Sequence, residues 1–138
     1  MKPRTTFLLV IATICLAFMA CKKSSGPAQP ALKGQWKLVS VFDPFSYAGD
    51  SSWHPLPAAS SRSISFSDPN NYKSETVTGG SPESCTGTYE VLSPVKIRIQ
   101  TACATENDVL TIRELSATDL VVERNGTEGP IGYHYKAE

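Results

Sequence analysis

From residue 62 onward the chain repeats short runs in which apolar and polar residues alternate, separated every ten to twelve residues by turn chemistry. Such a period of two suits half-buried β-strands. The runs cover 62–68, 72–78, 85–92, 96–103, 109–115, 119–124 and 131–136, and an earlier run over 35–42 sets Trp36, Leu38 and Phe42 on one face. Asp68, Pro69, Asn70, Asn71 and the Asn125, Gly126 pair supply turns between them. No helical period of useful length appears in this region. Eight strands in meander order predict an all-β, up-and-down antiparallel barrel, since closure removes exposed edges. A β-sandwich is the alternative.

Residues 43–61 interrupt the pattern with Pro44, Gly49, Pro55 and Pro57 and have no period, so they read as one long loop. Aromatic side chains concentrate there. Phe45, Tyr47 and Trp53 are candidate ligand contacts, because a loop at a barrel mouth can touch a guest without supporting the fold. Tyr72 and Tyr89 are candidates on strands, where Phe66, Ile99, Leu110 and Ile112 share the inward pattern; plain core is the competing reading for all of these.

Four cysteines are present. Matching apolar to apolar around the Ser93, Pro94 turn places Val91 opposite Ile97 and Tyr89 opposite Ile99, and continuing that register sets Cys85 opposite Cys103. A one-residue slip would turn one apolar set outward. Opposed strand residues are close enough for a disulfide, so the pair is expected to be oxidised in an exported chain.

Export is indicated by the amino terminus: Lys2 and Arg4 precede an uncharged run from Phe7 to Ala20 that ends at Cys21, with Lys22 and Lys23 directly after it. About 20 apolar residues are needed to span a bilayer, so the run reads as a signal peptide. Phe18, Met19, Ala20, Cys21 resembles a lipobox, which implies cleavage before Cys21 and lipid on its thiol. The expected organisation is a signal over 1–20, a lipidated flexible tether over 21–31 and a β domain over 32–138. The partner implied is a membrane of the bacterial envelope, expected to be the outer one, held through the lipid on Cys21.

Basic and acidic side chains number thirteen each, and losing Lys2 and Arg4 with the signal leaves the mature chain slightly acidic. Outside Lys22 and Lys23 the signs are intermixed, so no basic face exists to neutralise phosphates and nucleic-acid binding is excluded. His54 and His134 stand apart from other ligand types, and no nucleophile with a base, paired carboxylates or phosphate-cradling glycine loop occurs. No enzyme activity, metal or cofactor is expected.

Leu32, Lys33, Gly34, Gln35, Trp36, Lys37, Leu38 resembles the opening of bacterial lipocalin-like-domain lipoproteins, and Gly87, Thr88, Tyr89 and 115–120 are similar to later parts of that group. The resemblance implies that Trp36 plugs the closed end of the barrel, that an Arg covers it, with Arg124 the nearest candidate, and that a small apolar ligand binds. A structural or interaction lipoprotein with a filled barrel and no ligand is the alternative function.

Overall fold

A computed structural model describes residues 31–138, so the signal over 1–20, Cys21 and nearly all of the tether lie outside the described residues. Nine strands are formed: β1 Gly34–Phe42, β2 His54–Pro55, β3 Ser60–Ser67, β4 Asn71–Thr78, β5 Ser81–Ser93, β6 Lys96–Thr101, β7 Asp108–Leu115, β8 Asp119–Asn125 and β9 Pro130–Ala137. All neighbours are antiparallel. Each of β3 to β8 pairs with the next, and β1 pairs with both β3 and β9, which closes an eight-stranded barrel with β2 outside the ring. Closure rules out the sandwich.

The period of two decides what fills the barrel. Among the described residues twelve apolar side chains are buried, including Trp36, Leu38, Ile64, Phe66, Tyr89, Ile97, Leu120 and Val122. They gather toward the end where β1 begins. There the Trp36 side chain is only 3% exposed, and its indole N–H donates to the Leu32 carbonyl at 2.8 Å. Gly34 takes a φ of +138°, a conformation that residues with a Cβ rarely adopt, which accounts for glycine two places before this tryptophan.

The β5–β6 register matches the expected one, with Tyr89 opposite Ile99 and Val91 opposite Ile97. A bulge between Val91 and Ser93 lets the hairpin turn at Pro94 and Val95 without placing Val95 at positive φ. Cys85 and Cys103 form a disulfide with Cα atoms 6.0 Å apart. Closing a loop of this length contributes about 3 kcal/mol in the chain-entropy view.

Several element bounds differ from the sequence reading, most by one or two residues. Strand β5 starts at Ser81 instead of 85, because residues without alternation, such as Pro82 and Glu83, still pair with β4 through the backbone. Strand β6 ends at Thr101, two residues before the disulfide. Within the expected loop, His54 and Pro55 pair with Val41 and Ser40.

A further correction concerns the inward face of β1. Its pairing with β9 shifts between Leu38 and Ser40, and a bulge reverses the alternation beyond it. Val41 consequently packs toward the core, while Phe42 leaves the face it shared with Trp36 and Leu38 and meets Trp53, ring centroids 5.9 Å apart.

Candidate functional site

The lumen is filled at the closed end and open at the other. Toward that mouth lies a cavity of about 210 Å³, lined by side chains from β3, β4, β5, β6, β7, β8 and β9 and by the segment after Cys103. Ile99, Leu110 and Tyr135 form its apolar floor. Tyr72, Tyr133, Ser74 and Thr101 add hydroxyls to the wall, and the Cys85–Cys103 disulfide, Ala104 and Glu106 stand at the rim.

Alternation also brings charge inside. Arg62 stands on β3 two and four places before the buried Ile64 and Phe66, so its side chain must share their face. Its guanidinium carbon lies 5.4 Å from the centre of the Tyr133 ring, a cation–π distance, and the Tyr72 hydroxyl sits beside it. Burial works against the Arg62 charge, but the tyrosine oxygens around it push back harder, leaving its pKa above the ordinary value. Arg62 stays a cation. Burial likewise pushes the Tyr72 and Tyr135 hydroxyls up, so both remain neutral donors at physiological pH.

Arg124 faces inward from β8 by the same rule, two and four places after Val122 and Leu120. Its guanidinium is 3.7 Å from the Asp108 carboxylate, and both line the cavity. The expectation that Arg124 covers Trp36 is therefore corrected: β8 runs away from the closed end, which puts residue 124 at the mouth. Among the described residues no group of three or more His, Cys, Asp or Glu is placed to hold a metal ion.

Of the five candidate ligand contacts, only Tyr72 lines the cavity. Tyr89 is buried with Phe66 in an edge-to-face contact at 5.0 Å, part of the closed-end core. The loop aromatics sit elsewhere. Trp53 lies against the outer wall, next to Phe42 and His134 and over Gly132, where an added Cβ would come within 2.8 Å of its ring. Tyr47 stacks on His54 at 3.7 Å, and Phe45 rests over Gly129. Ile99 and Leu110 from the inward set do reach the cavity, whereas Phe66 is core and Ile112 packs against the core.

No protein-family model and no curated protein matches the chain in sequence. Among solved structures it is similar to an uncharacterized protein from Bacteroides eggerthii, with a TM-score of 0.57 and 14% identity over 78% of this chain and 100% of the other. At that identity the likeness is one of fold. Arg62 is open to sequence reasoning, since a charge in phase with Ile64 and Phe66 is a signal in itself.

Proposed function

We propose that this chain is an envelope lipoprotein whose lipocalin-like barrel binds a small, mostly apolar molecule at its mouth. The observation that carries the reading is the cavity of about 210 Å³ above an otherwise filled lumen. It is smaller than the roughly 300 to 1,000 Å³ of drug-sized sites, so it suits a short compound or one end of a longer molecule that projects from the mouth.

The anchor rests on Cys21 and the apolar run before it. Two or three acyl chains on that residue would hold the protein stably, each buried CH₂ contributing about 0.8 kcal/mol. Residues 22–31 reach at most about 36 Å, and the chain enters the barrel at Leu32, beside Trp36 at the closed end. That entry point supports an arrangement with the closed end toward the bilayer and the mouth turned away from it. Exposed Val91, Leu92 and Val95, on the hairpin at the closed end, suit a position near lipid.

The test has two parts. Wild-type protein should take up labelled palmitate and fractionate with membranes, and Cys21→Ser should do neither. Solvent extraction of the purified, signal-cleaved Cys21→Ser protein, followed by mass spectrometry, should release an apolar compound in near-stoichiometric amount. A structural lipoprotein is the second reading, favoured by the buried side chains, Trp36, Phe66 and Leu120 among them, that fill the lumen below the cavity; a bare protein after extraction would decide for it.

A further inference from the structure

Inside a barrel a guanidinium is costly unless an acid or a full set of acceptors meets it. Arg62 has neither. Its Nε is out of reach of solvent and makes no hydrogen bond, and among the described residues no carboxylate lies within 4 Å of it, whereas the second guanidinium of the cavity, Arg124, is met by Asp108. What surrounds Arg62 is the Tyr133 ring and the Tyr72 hydroxyl, groups that favour its cation without supplying an opposite charge.

Resting on the reading of the mouth cavity as a binding site, we propose that its ligand is an amphipathic carboxylate, with the carboxylate on Arg62 and the apolar part against Ile99 and Leu110. A guanidinium offers paired N–H donors that match the two oxygens of a carboxylate. The floor beneath is apolar, which suits a hydrocarbon chain and not a second charged group. Glu106 and Asp108 line the same cavity, so a doubly charged phosphate would meet repulsion that a monoanion with one charge meets less. A cationic ligand would meet Arg62, the guanidinium of the cavity that no acid pairs with.

The signal-cleaved Cys21→Ser chain keeps the whole closed barrel, and its binding of octanoate and of octanol can be compared by calorimetry. Octanoate should bind at least about tenfold more tightly than octanol, the size expected from gaining charge-assisted hydrogen bonds. Arg62→Gln should abolish that preference, bringing octanoate binding down to the level of octanol, and it should melt no lower than the parent because it removes a partly buried charge that no acid meets. Arg62→Lys keeps the charge but not the fork, and should retain only part of the preference; it also decides the matter if the Gln variant does not fold. Equal binding of octanoate and octanol, or a preference that survives Arg62→Gln, overturns the carboxylate assignment and leaves the cavity reading intact. Failure of both probes to bind, together with a bare extract, overturns the cavity reading itself.

Discussion

Trp36→Ala should unfold the protein or lower its melting temperature more than any other single truncation of the core. The side chain is 3% exposed, stands opposite Ile64 on β3 and Ala137 on β9, and ties the incoming chain to the barrel through Leu32. Truncating a buried Trp costs about 3 to 5 kcal/mol, against the roughly 5 to 15 kcal/mol that holds a domain folded. The effect should exceed that of Trp53→Ala by about a factor of two, because Trp53 is 45% exposed on the outer wall and leaves little lumen empty when removed. With only two tryptophans in the chain, fluorescence in each variant reports the other indole: blue-shifted for Trp36, red-shifted for Trp53. Near-equal melting temperatures for wild type and Trp36→Ala would contradict the placement of Trp36 as the plug.

Gly87→Ala should be the second most damaging change, although it adds a single methyl group. A Cβ at this position would stand 1.9 Å from the Gln100 carbonyl oxygen and 2.8 Å from the Thr101 Cα. Both are backbone atoms, so no side-chain rotation relieves the contact, and β5 and β6 must part where Gly87 faces Thr101. Two residues away Cys85 is tied to Cys103, which restricts how far the strands can separate. Overpacking typically costs about 1 to 3 kcal/mol, and a clash between two main chains belongs at or above the top of that range. For a domain of this size that lowers the melting temperature by more than about 10 °C. A variant that melts within about 2 °C of wild type would show that the strands do not approach so closely.

Much of the barrel was legible because alternation is a local signal. Tyr89 and Val91 against Ile99 and Ile97 fixed a register that carried Cys85 to Cys103, and Asp68 to Asn71 marked a turn without tertiary information. What was not legible depends on contacts between distant parts of the chain. The bulge in β1 between Leu38 and Ser40 leaves the apolar pattern unchanged, yet it moves Val41 inward and Phe42 outward. Trp53 finds its place because residue 132 lacks a side chain, and nothing near Trp53 announces that. Aromatic density in 43–61 therefore pointed to the wrong side of the wall as the cavity lining. Arg62 and Arg124 were within reach of the same parity that found the core, since each keeps phase with buried neighbours.

The proposed binding takes place inside the mouth of the barrel and not on its aromatic outer wall. Amide shifts of the signal-cleaved Cys21→Ser protein, followed by two-dimensional NMR during octanoate titration, test it most directly. Saturable shifts are expected at Arg62, Ser74, Thr101, Leu110 and Tyr133, which line the cavity, with Phe42, Tyr47 and Trp53 unmoved. Shifts confined to those three outer-wall residues, or no shifts at all, would contradict it.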